Sequence, residues 1–295
     1  MTFIATAAAI AQTGARPVFV DIEPTTGNLS PRAVEQYLSA NRRNSVNGPR
    51  AIVPVDLYGL PAALGELREL ANARGLKLLE DACQAHGARL SHNGAWLMAG
   101  GPLADVACFS FYPGKNLGAW GEGGAVATND DAAAQQVARL RDHGRVSHYE
   151  HDVVGFNARL DTMQAAVLSV KLTRLIDWNE RRRHIAALYR ELLGDTELEL
   201  PQERAGYESC YHLYVVRSIS RDRIREALVN ADIGCGIHYP VPLHLQPALR
   251  FLGYRRGDFP AAERLADMAL SLPMHPHLSD DAVVQVAHVV RGALQ

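Results

Sequence analysis

The 295-residue sequence is poor in cysteine and nearly neutral, and each scarcity removes a class of protein. Its four cysteines (Cys83, Cys108, Cys210, Cys235) are scattered without a C-x-x-C pair. That argues against a disulfide framework and a structural zinc site, and a reducing, cytoplasmic compartment is expected. A formal net charge of -2 offers no basic field for nucleic acid or anionic lipid. No apolar run is long enough to cross a bilayer. Met1 to Ala11 is apolar and rich in small residues, as a signal peptide would be, but the first basic residue, Arg16, comes after the run. A helix packed against a sheet is the expectation there. Internal repeats and low-complexity linkers are also missing.

What is present is an ordinary globular composition, 47% hydrophobic and 21% charged, in a chain long enough for one large and one smaller domain. Pro17 to Ile22 reads as a strand. Ser30-Pro31 is an N-cap followed by proline at the first helical position, opening a helix to about Ser39. Ala51 to Leu57 reads as a buried strand, and Pro61 to Arg74 as a helix closed by Gly75. Leu76 to Glu80, Val106 to Phe111 and Gly124 to Thr128 are further strands, with a helix from Asp130 to about Arg141. This alternation implies a mostly parallel sheet with helices on both faces. Helical patterns run from Asp161 to Leu193 with a bend near Asp177. A strand at Tyr211–Arg217 and helices at Arg221–Asn230, Pro260–Met268 and Asp280–Leu294 suggest a smaller α+β domain. The expected division is 1–178 and 179–295.

Chemistry concentrates at two strand ends. Leu76 to Leu79 runs into Glu80-Asp81-Ala82-Cys83-Gln84-Ala85-His86-Gly87. Val106 to Phe111 runs through Ser110 into Tyr112-Pro113-Gly114-Lys115-Asn116-Leu117-Gly118. In an α/β protein the strand C-termini line the ligand crevice, so an acid, a hydroxyl and an amine would converge there. Those are the groups a pyridoxal 5'-phosphate (PLP) enzyme needs: a lysine for the aldehyde, an anion for the pyridinium nitrogen and a hydroxyl for the phosphate. The Gly118–Gly124 glycines precede a strand rather than opening a helix, so they make no dinucleotide fingerprint and are expected to let backbone approach the lysine loop. His148-Tyr149-Glu150-His151 and His238 to His244 lack a convincing third ligand, and no metal site is expected. Arg181-Arg182-Arg183 reads as a solvated helix face.

Both strand-end segments resemble the DegT/DnrJ/StrS sugar aminotransferases, within the fold-type I PLP enzymes. The resemblance implies a homodimer with shared active sites that moves an amino group, with glutamate as donor, onto a nucleotide-linked keto-sugar. The lysine loop and the Gly253-Tyr254 to Pro260 tail look most like the branch acting on dTDP-linked 3-keto-6-deoxyhexoses. By the same resemblance Lys115 binds the PLP aldehyde, Asp81 faces the ring nitrogen, Gln84 reaches the ring's 3'-oxygen and Ser110 holds phosphate. Phe3 stands at the ring-stacking position. In Gly155-Phe156-Asn157-Ala158-Arg159, Asn157 serves the neighbouring subunit's cofactor and Arg159 is a candidate substrate contact, as are His238 and Tyr239. Thr2 to Ala7 is similar to a segment well inside the family's large domain, so a Gly-Thr phosphate motif is expected to be missing and activity reduced. Two alternatives stay open: a sugar dehydratase of the same fold, which Lys115 argues against, and a truncated, impaired PLP-binding product.

Overall fold

A computed structural model describes residues 1–41 and 48–295. In chain order the first half contains α1 (Ile4–Gln12), α2 (Pro31–Ala40), β1 (Ala51–Ile52), α3 (Leu64–Arg74), β2 (Lys77–Asp81), β3 (Arg89–His92), β4 (Ala95–Met98), β5 (Val106–Ser110), β6 (Gly124–Ala127) and α4 (Asp131–Leu140). It continues with α5 (Thr162–Leu172), α6 (Leu175–Leu193), β7 (Tyr207–Glu208), β8 (Tyr214–Arg217), α7 (Arg221–Asn230), α8 (Pro260–Met268), β9 (Ala269–Leu272) and α9 (Asp280–Leu294). A four-stranded sheet runs β1-β2-β5-β6, parallel except for β6. The class is α/β, as expected. Asp81 is paired in register with Cys108, so the ends of β2 and β5 lie side by side.

Capping chemistry sets several boundaries. Ser30 Oγ accepts the Ala33 N–H at the start of α2, and Asp130 caps α4 through the Ala132 and Ala133 N–H groups. Gly75, at φ 55°, ends α3 in the left-handed region that glycine enters without strain. α8 opens with Pro260, and the Asp21 carboxylate accepts the Ala261 and Ala262 N–H groups. A side chain far away in sequence thus serves as the cap.

Leu38, Leu64, Leu67 and Leu78 form a core between α2, α3 and the sheet. Leu117 and Ala119 pack with Leu168 and Leu175 from α5 and α6. A separate core joins α6, α7 and α9 to the β8-β9 pair through Tyr189, Tyr214, Ile224 and Val286. The tyrosine rings of 189 and 214 stack at 4.9 Å.

Several expectations require correction. Pro17–Ile22 is not a strand; it contributes one isolated bridge, Ile22 to Leu29. The strand expected over Ala51–Leu57 shortens to two residues plus a Val55–Asp81 bridge, because the Asp56 carboxylate accepts the Ala62 N–H and the Leu57 N–H donates to Asn28 Oδ1. The helix break falls at Thr173–Arg174, before Asp177. α1 packs on the 243–252 segment through Ala7, Leu243, Leu249 and Leu252, not on the sheet face. The Arg181–Arg183 run is not uniformly solvated. Arg182 is buried, and donates to the carbonyls of Tyr211 (2.9 Å) and Met274 (3.0 Å). Burial pulls its pKa down to about 10.

Candidate active site

Asp81 ends β2 against the first turn of α1, where no side chain of the helix's own N-cap residue, Phe3, accepts a hydrogen bond. Its Oδ2 accepts the Thr6 hydroxyl at 2.7 Å and its Oδ1 the Cys83 N–H at 3.2 Å. A carboxylate beside a helix N-terminus is also favoured by the backbone dipoles.

Lys115 follows a turn closed by its N–H on the Tyr112 carbonyl at 2.9 Å. Gly118 makes this loop possible, since a Cβ there would stand 2.3 Å from the Pro113 carbonyl oxygen. The expected close backbone approach is therefore real at Gly118. The chain has three lysines. Lys77 pairs with Asp105, and Lys171 donates to the Gly118 carbonyl. Among the described residues, the Lys115 amine has neither a hydrogen-bond nor an ion-pair partner. Burial lowers its pKa, while the neighbouring Cys83 and Asp81 oppose that shift.

Gln84 is buried with both ends of its amide engaged: Oε1 accepts the Tyr58 N–H at 2.8 Å, and Nε2 donates to the Tyr239 hydroxyl at 3.2 Å. Tyr239 stands 5.8 Å from Phe3 between ring centroids, so Phe3, Gln84 and Tyr239 belong to one cluster with Asp81. Burial raises the Tyr239 pKa. Ser110 Oγ accepts the Tyr112 N–H at 3.3 Å. His238 Nδ1 lies 2.8 Å from Ser271 Oγ, and burial followed by Lys115 lowers its pKa.

Asn157 and Arg159 lie on an exposed loop. Arg159 Nε donates to Asn157 Oδ1 at 3.1 Å, and its guanidinium approaches Asp142 at 3.7 Å.

Four neighbours escaped sequence reading. Thr6 lay inside a quoted segment but was given no role. Tyr58 adopts φ 60° and donates through its hydroxyl to the His238 carbonyl, a long-range contact with no local signature. His86 is buried against Phe109 and Phe111, and burial reinforced by Lys115 lowers its pKa to about 4. Burial and the same ammonium hold His212 neutral, with Nδ1 3.3 Å from Asn116 Oδ1. Among the described residues no three His, Cys, Asp or Glu side chains gather to hold a metal ion, and no helix is long and apolar enough to cross a membrane.

A family model described as the DegT/DnrJ/EryC1/StrS aminotransferase family matches residues 1–291. The chain belongs to this family. It is 47% identical to the erythromycin biosynthesis sensory transduction protein EryC1 of Saccharopolyspora erythraea, over 99% of this chain and 76% of the relative. It is 43% identical to the dTDP-3-amino-3,4,6-trideoxy-alpha-D-glucose transaminase of Streptomyces venezuelae, over 98% of this chain and 74% of the relative. A crystal structure of a DegT DnrJ EryC1 StrS aminotransferase from Brucella abortus superposes with a TM-score of 0.93 at 38% identity, covering 99% of this chain and 77% of that one.

DegT/DnrJ/EryC1/StrS aminotransferases depend on PLP. The residues fit that cofactor. An amine with no hydrogen-bond or ion-pair partner among the described residues, and with a depressed pKa, sits near a carboxylate fixed by two donors; a buried amide lies three residues beyond the carboxylate and a serine hydroxyl ends the neighbouring strand. The chain is an aminotransferase by family.

Proposed function

We propose that this enzyme carries an amino group from glutamate to the keto carbon of a nucleotide-linked sugar, with a dTDP-linked 3-keto-6-deoxyhexose as the substrate. The observation that carries the reading is Lys115, a partly buried amine without a hydrogen-bond or ion-pair partner among the described residues, in the loop after β5 and near Asp81 at the adjacent strand end. The named activity of the S. venezuelae relative supports the sugar class.

PLP when bound supplies the aldehyde that takes up the amino group and the ring that accepts electrons from the donor's α-carbon. Lys115 Nζ would bind that aldehyde. With its ammonium disfavoured by burial, the amine takes a proton from the donor's α-carbon and returns one to the reacting carbon. Asp81, locked by Thr6 and the Cys83 N–H, would hold a proton on the ring nitrogen. Gln84 would orient the 3'-oxygen, Ser110 would offer its hydroxyl to the phosphate and Phe3 would pack on the ring. His238, Tyr239 and Arg159 would contact the sugar nucleotide. Glutamate leaves as 2-oxoglutarate, and the keto-sugar becomes an amino-sugar.

A second copy of the chain completes the site. Val154, Phe156 and Met163 are exposed at 96%, 68% and 78% around Asn157, an apolar tract suited to an isologous interface. Asn157 would serve the partner's phosphate pocket. Residues 1–178 form the large domain and 179–295 the small one, with α6 leading from one to the other. Four free thiols fit a cytoplasmic location.

Incubation with glutamate and the dTDP-3-keto-6-deoxyhexose, followed by mass spectrometry, tests the reaction. The expected products are the 3-amino-sugar nucleotide and 2-oxoglutarate. Turnover of UDP-linked keto-sugars alone would overturn the dTDP assignment, and turnover without 2-oxoglutarate would overturn the donor.

A further inference from the structure

Behind Asp81, on the other face of the sheet, two carboxyl groups meet. Side chains alternate along β2, so Glu80 points into the core while Asp81 points toward the site. Asp56 and Glu80 are 0% and 1% exposed. Asp56 Oδ1 accepts the Ala62 N–H at 2.8 Å, and Glu80 Oε1 accepts the Gly100 N–H at 2.8 Å. The remaining oxygens, Asp56 Oδ2 and Glu80 Oε2, are buried with no donor among the described residues, and the two side chains lie in hydrogen-bond contact with each other.

Two acceptors in contact need a proton between them. Among the described residues no cation is found against the pair: the titratable groups facing it are Asp81, Cys108, Tyr207 and Cys210. Two adjacent buried carboxylates cannot both stay ionised, whereas a carboxyl donating to a carboxylate makes a strong charge-assisted bond.

We propose that Asp56 and Glu80 share one proton, and that the resulting carboxyl pair is a positioning element that fixes Asp81 and Gln84 from behind. The backbone links are short. The Asp56 N–H donates to the Asp81 carbonyl at 3.0 Å, and the Asp81 N–H to the Pro54 carbonyl at 2.9 Å. Two residues after Asp56, the Tyr58 N–H holds Gln84 Oε1. The Asp56–Ala62 bond closes the turn that carries Tyr58, so displacing Asp56 displaces both site residues. Burial raises the proton affinity of both carboxyls, in agreement. The positioning role rests on the reading of Asp81 and Gln84 as the cofactor seat; the shared proton does not.

The sign of the pH effect follows from linkage. The unfolded chain releases these protons above about pH 4, while the folded chain keeps one. Wild-type stability therefore falls as pH rises, until the raised folded pKa is passed. Glu80→Gln places an amide N–H where the proton lay, leaves Asp56 ionised and removes that dependence. The melting temperature of Glu80→Gln relative to wild type should climb between about pH 5 and about pH 9. Infrared spectra of the cofactor-free protein at about pH 8, well above ordinary carboxyl pKa values, should show a protonated-carboxyl band that Glu80→Gln and Asp56→Asn abolish. A wild type without that band, or a pH-independent stability difference, would overturn the shared proton.

PLP titration reads the positioning role. Glu80→Gln should bind within about threefold of wild type, and the Asp56→Leu/Glu80→Leu double variant about tenfold or more weakly; an apolar replacement of a buried pair commonly folds. Wild-type affinity in the double variant would overturn positioning. A wild type that binds no PLP but keeps the infrared band would instead overturn the cofactor seat and leave the proton assignment standing.

Discussion

Asp81 and Gln84 each hold two hydrogen bonds among largely buried neighbours, whereas Asn157 sits on an exposed loop with its side chain bonded to Arg159, two residues away. The first region is built into the fold: strand register sets Asp81 beside β5, and Thr6, Tyr58 and Tyr239 bring in three distant segments. The second is fixed chiefly through its backbone, by the Asp142–Asn157 and Arg145–His151 bridges. The comparison separates a cluster that the fold preorganises from a loop that, on the proposed reading, would serve a second chain. Preorganised groups carry the larger electrostatic contribution to catalysis, so damage to the two regions should differ in both size and kind.

Lys115→Ala should have the largest effect, lowering kcat about 10³-fold or more through loss of the group that moves the proton. Steady-state assay at saturating PLP reads it. Asp81→Asn should retain PLP yet lose about 10²-fold in kcat. Because Asp81 opposes the fall in the Lys115 pKa, the same variant should lower that pKa further. The pH profile of amine labelling of Lys115 in the cofactor-free protein should then move to lower pH; a move to higher pH would break the assigned coupling.

Phe156→Asp tests the exposed region in a different way. It should shift sedimentation toward monomer and lower activity in proportion to the dimer lost, while Asn157→Ala should leave the dimer intact and weaken PLP about tenfold, as for a lost bond to a charged group. A full dimer with Phe156→Asp would remove the loop from the interface. Thr6→Val should have the smallest effect, about threefold to tenfold in kcat, since the Cys83 N–H still holds Asp81.

The same contrast governs what the sequence made legible. The placement of Asp81 and Ser110 at strand ends, with Lys115 in the loop that follows, was readable because apolar strands run directly into them. α7, α8 and α9 were expected with the boundaries the structure has. Contacts between distant segments left no such local signal. Pro17–Ile22 has strand-like residues but gains just one bridge. Arg182 looks like one of three surface arginines until Tyr211 and Met274 are brought to it. Asp56 and Glu80 lie in unrelated segments, and their meeting shows only once β1 and β2 are in register. Thr6 gained a role only when the first turn of α1 was seen to meet Asp81.

The central claim is that Lys115 alone among the three lysines serves the cofactor. Reduction of the PLP-loaded protein with borohydride, then digestion and peptide mass spectrometry, tests it directly. The phosphopyridoxyl label should lie on Lys115, with Lys77 and Lys171 unmodified. A label on either of those two with Lys115 unmodified would contradict the account.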